Sequence, residues 1–586
     1  MYFHVITYYV SISHEASMTD DALGQFNNLL QYLRLNANNS TAMLETLNDF
    51  TRSLGSVWGL FSILVVCAPA ALAVHEFTAY RMNQYTLTGS DYGCKSNMVN
   101  FEARAVNANI VTRRCVLMSM GEISVDRMKE LIENKAGSIL IAIPEDPSSL
   151  TKDEIENWNE VEEVLMEQAI DTSVYFTYQK PELMSIYHEV RTALNSDHAA
   201  TAAAALGNVF HSNGYQIVTY GAAPAPAKSS LYTIQGKMLS QGRETNPSIA
   251  IVAHFDSYGI APHLAKSANG NGSGVAALLE IARLLSKLYS KSGNTPKYDV
   301  LFLLSSGGKL NYLASKTWLE KKLSSDSLET VLLNEVEFVL CLDGIGKDGL
   351  NLHVSKQPKE GTAAHKMLTA IEEAVALLNP NISVNTVPKK VNLGNPLFAW
   401  HHEIFTVKRL SAATISNFPA HNSLGRLNTF DTSVDVDKLY THTHIIAEGI
   451  ARYISDLSDK SVTILDDYLV PNRALLSRTV EFLSSTQRAA TLLQRDSPVI
   501  LHLEQTLSKY ASEVMVSELK ASKRDPEFQF YDQSETKLFA YNVKPAVFDL
   551  FLAIAVIAYL GTVYLCVKSI PHAMTYLYQM KKLKSS

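Results

Sequence analysis

The sequence predicts an α/β protein. A mostly parallel or mixed sheet is flanked by helices, a smaller α/β module precedes it, and a helical region and one membrane-spanning helix follow it. Three observations carry this reading. Apolar strand-like runs alternate with helical-period segments from Leu231 to Leu457, the pattern of strands joined through crossover helices. The same alternation runs through shorter elements from Phe101 to Leu194. Two segments, Gly55–Val74 and Leu550–Val567, hold no charged residue. A chain of 586 residues that is 47% hydrophobic has ample material for several domains. Its formal net charge of −7 gives no electrostatic footprint for nucleic acid.

Residues 1–54 read as an N-terminal extension; Met43 would supply a more ordinary start. Residues 55–74 read as a secretory signal peptide or an uncleaved signal anchor. An apolar centre, Val57 to Ala68, ends at Pro69, and Ala71-Leu72-Ala73 offers small residues for cleavage. Residues 75–228 form the smaller module, extended and tyrosine-rich to Val99. It continues with a helical stretch near Val106, an apolar run Cys115 to Met118 and a helix from Val125 to Asn134. Strands Ser138 to Ile143 and Val174 to Thr177 follow, with helices Lys152 to Glu167 and Pro181 to Leu194. The acidic run Asp153 to Glu163 reads as a solvated helix face. Ala199 to Ala205 reads as a further helix and Gly221 to Ala227 as a loop.

Residues 229–465 form the larger module around the strand Ile249 to Ala253. After a glycine-rich segment, Val275, Leu278, Leu279, Ala282, Leu285 and Leu288 recur at helical spacing. Further strands are expected at Val300–Leu304, Phe338–Leu342, Leu350–Val354, Ser383–Val387 and Ala413–Ser416, and helices at Leu310–Leu323, Thr362–Leu378 and Val436–Leu457. Residues 466–546 read as a helical juxtamembrane region, amphipathic from Asn472 to about Lys520. Leu550–Val567 is long enough to span a bilayer, within a transmembrane segment 547–568. Lys568, Lys581, Lys582 and Lys584 place the tail, 569–586, in the cytosol and the bulk of the chain in the lumen or outside the cell. Lys582 and Lys584 match a dilysine retrieval signal of the endoplasmic reticulum, or an ordinary basic juxtamembrane tail.

Of five cysteines, Cys94, Cys115 and Cys341 lie between the hydrophobic segments, which permits one disulfide without specifying it. Asn271 and Asn381 open glycosylation sequons, and Asn381 is the better surface candidate.

Chemistry concentrates where strands are expected to end, since ligand sites of open α/β sheets form at carboxyl ends of strands. His254 and Asp256 close the strand Ile249 to Ala253, Asp343 closes Phe338–Leu342, and His421 follows Ala413–Ser416. His254 and Asp256 suit a metal ligand with a supporting carboxylate, or a buried histidine satisfied by an acid. The glycine segment Ala268 to Gly274 and the stretch Ser305 to Lys309 hold no carboxylate, and Lys309 adds positive charge. A two-metal hydrolase needs a bridging carboxylate and a general base, and these last two segments supply neither.

AHFDSYGIAP, NGNGSGVAALLEIARLLS, FLLSSGGKLNY, VLCLDGIG, LHVSK, KRDPEFQFYDQ and YNVKPAVFDL together resemble the nicalin family, nicastrin-related membrane proteins with a lumenal domain similar to M28 zinc aminopeptidases. The resemblance implies that His254, Asp343 and His421 fall on metal-ligand positions and Asp256 on the supporting position. It implies that Gly270 stands where M28 peptidases carry the bridging aspartate. Ser306 and Gly307 stand where they carry two glutamates, base and ligand. The implied protein is a non-catalytic M28-like pseudoenzyme without metal or other cofactor, a subunit of the BOS complex in the endoplasmic-reticulum membrane, single-pass and type I. Implied partners are Nodal modulator, a small polytopic membrane protein, the Sec61 translocon that handles multi-pass proteins, and the lipid bilayer. The family is also linked to antagonism of Nodal signalling. A zinc aminopeptidase and a peptide-binding receptor are the competing expectations.

Overall fold

The structure, a computed structural model, describes residues 74–543 apart from 109, 197–213, 222–223, 228–229, 241–245, 292–295, 325–335, 427–428, 456–459, 521–526 and 533, together with scattered residues of 553–583. The signal segment up to residue 73, the helix expected at Ala199 to Ala205, and Lys582 and Lys584 lie outside the described residues, as does part of Leu550–Val567. Among the described residues, no helix is long and apolar enough to cross a membrane.

The larger sheet has eight strands. Their order is Val384–Pro388, Leu350–Val354, Ala412–Ser416, Val336–Leu342, Ser248–His254, Asp299–Ser305, Ser230–Met238 and Ser512–Lys520. The middle four run parallel; Ser230–Met238 and Ser512–Lys520 add antiparallel pairings at one side. Strand Ser248–His254 is buried at every residue, because both faces of the sheet are covered. Ile249, Ile251 and Ala253 join the core under helices Ser273–Tyr289 and Val436–Ser455. Ala250 and Val252 point the other way, into a cluster with Trp318, Leu319, Ile404 and Phe405. A continuous apolar run, rather than an alternating one, is what a doubly covered strand requires. Helix Ser273–Tyr289 starts hard against the next strand's end: a Cβ on Gly274 would lie 2.3 Å from the Asp343 carbonyl oxygen. The glycine therefore lets the helix and the turn after Val336–Leu342 approach, which sets the floor of the cleft.

The smaller module is a closed ring of seven strands, Val74–Arg81, Glu535–Val543, Gly214–Thr219, Asn100–Ala105, Cys115–Ser119, Ser138–Ile143 and Ser173–Tyr178. A four-stranded sheet, Phe528–Phe530, Gln84–Leu87, Ser90–Cys94 and Ala169–Ile170, lies beside it in strand order.

Three expectations change. Residues around Val106 end a strand, Asn100–Ala105, instead of forming a helix. The amphipathic region after Asn472 is two helices, Arg473–Ser485 and Pro498–Leu507, and then the strand Ser512–Lys520, which becomes the edge of the larger sheet. Alternation of Val514 and Val516 against Glu513 and Ser517 fits a half-buried strand better than a helix. The chain then returns to the smaller module, where Glu535–Val543 closes the ring between Val74–Arg81 and Gly214–Thr219. The third change concerns the acidic helix Lys152–Met166, which is not solvated throughout. Trp158 and Glu162 are buried, and Glu162 accepts hydrogen bonds from the Trp158 indole at 3.0 Å, Ile260 N–H at 2.7 Å, Thr429 N–H at 3.1 Å and the Thr429 hydroxyl at 2.8 Å. One carboxylate thus ties a helix of the smaller module to two loops of the larger one. Cys94, Cys115 and Cys341 are buried free thiols.

Glu162→Ala leaves four buried donors without their acceptor and is expected to cost about 3 kcal/mol. Glu160→Ala, two residues earlier on the exposed side of the same helix, should stay within about 0.5 kcal/mol. Denaturant unfolding of the two variants checks the contrast.

Candidate functional site: an ion-paired cleft at the sheet edge

The parallel strands end along one edge, and the predicted residues gather there unequally. His254 ends its strand, buried, with its Nε2 3.9 Å from Asp343 Oδ1. Neither His254 nitrogen has a hydrogen-bond partner among the described residues. Burial holds its imidazole well below its ordinary pKa, so the ring is neutral. Asp256 does not orient that ring. Its Oδ1 accepts from the Gly308 N–H at 2.9 Å, and burial raises its carboxyl to about 6.

Asp343 faces a cation, and that cation is a side chain. Arg426 Nε donates to Asp343 Oδ2 at 3.1 Å, and its Nη2 donates to the Tyr312 hydroxyl at 3.1 Å. Its remaining nitrogen donates to the carbonyls of Ala399 and His421. The guanidinium lies over the Trp400 ring, with Cζ 4.1 Å from the ring centre, a stacked geometry suited to arginine. Ser416 donates a further hydrogen bond to Asp343 Oδ2 at 3.2 Å. Burial alone would raise the Asp343 carboxyl; Arg426, followed by Lys309 and His254, outweighs it and holds the group below the ordinary carboxylate range. His421 does not converge on these residues. It is exposed at the lining of the cleft, and only its backbone carbonyl engages Arg426.

The loop after Asp299–Ser305 is equally committed. The Ser306 hydroxyl accepts from Tyr232 N–H at 2.8 Å, and Ser306 N–H donates to the Tyr232 carbonyl. A Cβ on Gly308 would lie 2.0 Å from His254 Cδ2, so this loop presses its backbone onto the imidazole. Gly270 is also enclosed. Its N–H donates to Asp431 Oδ2 at 2.6 Å, and a Cβ there would meet the Arg426 carbonyl at 3.2 Å and Asp431 Oδ2 at 3.4 Å. Asn271 lies buried beneath the loop, donating to the Asp256 carbonyl and accepting from Arg488 Nη1 at 2.8 Å. Its sequon is therefore unavailable to a glycan in the folded chain, whereas Asn381 is exposed.

Sequence patterns do not single out Arg426, Tyr312, Trp400, Asp431 or Arg488. Arg426 and Asp431 lie in a turn-rich loop with no period, and Arg488 follows a helix end. Arg488 donates to the carbonyls of Phe255, Lys266, Ser267 and Leu483. It thereby satisfies buried carbonyls of the turns that flank the glycine segment.

A model of peptidase family M28 matches residues 236–395. The BOS complex subunit ncln of Danio rerio is 39% identical over 530 residues, covering 86% of this chain and 92% of that protein. The BOS complex subunit NCLN of Homo sapiens is 38% identical over 527 residues, covering 88% of this chain and 93% of that protein. The chain belongs to the nicalin family. The crystal structure of the γ-secretase component nicastrin shares the fold, with a TM-score of 0.55 at 10% identity, covering 79% of this chain and 99% of that one.

The M28 family of this fold implies zinc, which needs several anionic or neutral donors converging on one point. The residues present do not fit. Asp343 is bonded to a guanidinium, Lys309 adds a second cation close enough to influence Asp343, and Gly270, Ser306 and Gly307 bring no carboxylate. Among the described residues, no group of three or more His, Cys, Asp or Glu side chains is arranged to hold an ion.

Arg426→Met is expected to cost about 3–5 kcal/mol by stranding a buried carboxylate, and the double variant Asp343→Asn/Arg426→Met should recover most of the loss. Because the folded-state Asp343 pKa is depressed, its stabilisation is present above the ordinary carboxylate range and lost as pH falls. The wild-type chain should therefore lose stability relative to the double variant below about pH 4. Unfolding free energies over pH 2–7 check both expectations.

Lys309 carries the opposite cost. Burial, reinforced by Arg426, pushes its ammonium down to about 7. The folded state therefore holds fewer protons than the unfolded one between about pH 7 and 10, and stability rises through that window. Lys309→Met should stabilise the chain at pH 7 and flatten this rise, as read by thermal unfolding at several pH values.

Proposed function

We propose that this chain is a non-catalytic subunit of a membrane complex of the endoplasmic reticulum, the BOS complex, acting with the Sec61-associated machinery that inserts multi-pass proteins. The single observation that carries the non-catalytic reading is Arg426 bonded to Asp343 at 3.1 Å, a fixed cation where hydrolysis by this fold would need an exchangeable one. The complex itself is supported by relatives of 38–39% identity whose names describe them as BOS complex subunits. In this reading the chain spans the membrane once through Leu550–Val567, with the M28-like and smaller modules in the lumen and the lysine-rich tail in the cytosol. The Nodal modulator and a small polytopic membrane protein are its partners. The peptidase-like body serves as a rigid surface, its two modules joined by Glu162.

Affinity isolation of the full-length chain from native membranes, with zinc analysis and aminopeptidase assay on the same sample, tests this. The expected result is co-isolation of membrane partners with substoichiometric zinc and no turnover. Stoichiometric zinc with peptide turnover, both lost in His254→Ala, would replace the scaffold by an enzyme.

A further inference from the structure

A cleft of about 310 Å³ opens over the ion pair, with Lys309 and Arg426 among its lining residues. That volume is at the lower end of the roughly 300–1,000 Å³ of sites that hold small ligands. Arg426 is engaged by Asp343, Tyr312 and two carbonyls. Lys309 is different: among the described residues it has no ion pair or hydrogen bond, although Asp343, Asp256 and Asp431 act on it through space. Lys309 is only part-buried and lines the open cleft, so its ammonium is free to meet an anion there; the adjoining loop is held without it, by the Ser306 hydroxyl and the Gly308 N–H.

The rest of the lining narrows what could meet this lysine. Leu397, Phe398 and Leu424 give one wall an apolar character, and Tyr85 and Tyr92, ring-stacked at 5.1 Å, give another. Glu163 and Glu167 also line the cleft, and they disfavour ligands of high negative charge such as phosphates. A single carboxylate on an otherwise apolar or uncharged group satisfies both halves of the cleft.

We infer that this cleft is a peptide-carboxylate site, in which Lys309 Nζ forms a charge-assisted hydrogen bond to the carboxylate and the apolar wall holds the neighbouring side chain. The inference rests on the non-catalytic reading of the same cleft, because a metal at Asp343 would redefine it. The carboxylate belongs either to a chain terminus or to an acidic side chain; both present the same group to Lys309.

The test is titration calorimetry on the full-length protein in lipid nanodiscs with three probes. These are N-acetyl-Leu-Leu as the free acid, its C-terminal amide, and N-acetyl-Glu-Leu amide. Binding of the free acid alone would identify a chain terminus, and binding of the Glu peptide would identify an acidic side chain; either supports the site. Lys309→Gln should weaken binding at least about tenfold, the loss of one charge-assisted contact, whereas Lys309→Arg should stay within about threefold. Thermal unfolding of both variants confirms that they are folded. Equal binding of free acid and amide, binding unchanged by Lys309→Gln, or no binding of any probe to the wild type would overturn the inference. Binding that requires added zinc, or cleavage of the probes, would instead overturn the non-catalytic reading.

Discussion

A buried carboxylate at the end of a central strand must be neutralised by something. Asp343 follows a strand with neighbours on both sides and helices on both faces, so water cannot do it. Arg426 does, and the surrounding structure is arranged around that guanidinium. Trp400 lies beneath it, Tyr312 and Ser416 share the hydrogen bonds, and the 421–426 turn supplies a carbonyl. Tyr312 holds this place with a left-handed backbone, φ 53°, a conformation unfavourable for an aromatic residue and stable only when its surroundings enforce it. Its ring is stacked on His401 at 4.5 Å, and His401 in turn bonds Ser315 at 2.8 Å. The ion pair therefore organises aromatic groups from two loops, not merely two charges.

The other buried ions follow the same rule by different means. Glu162 is satisfied by four donors, Asp431 by the amides of Asn269 and Gly270, and Arg488 by carbonyls of the glycine loop and its neighbours. Each connects segments distant in sequence. Buried polar networks of this kind stabilise only when complete. Lys309 breaks the pattern. Among the described residues it forms no hydrogen bond or ion pair within the network, and it lines the open cleft instead.

Much of the fold was legible because its signals are local. The buried run around Ile251 and the 3.6-residue spacing from Val275 to Leu288 fix strand and helix type without reference to the rest of the chain. Ser512–Lys520 was misread because its apolar residues follow two amphipathic helices and its partner strand, Ser230–Met238, lies nearly three hundred residues earlier. Likewise Glu162 sits in an acidic run whose exposed members set the apparent character of the helix, and only tertiary contact distinguishes the buried one. At the site, the strand ends correctly place His254, Asp256 and Asp343 together, since parallel strands carry their carboxyl ends to one edge. His421 and Arg426 show the limit of that logic. Both lie in one turn-rich loop, and the sequence offers no rule for which of the two points at Asp343.

That choice has a chemical consequence. A metal ion at such an edge is held by several donors and can exchange, polarise water and accept new ligands. A guanidinium is attached to the chain, has no open coordination position and holds its proton at any working pH. Building a metal site here would take more than placing carboxylates at Gly270 and Ser306. A Cβ on Gly270 would crowd the Arg426 carbonyl at 3.2 Å, and Ser306 is paired to Tyr232. Arg426 would also have to leave, stranding Trp400 and Tyr312. The Arg426–Asp343 pair and the groups packed around it therefore support one another.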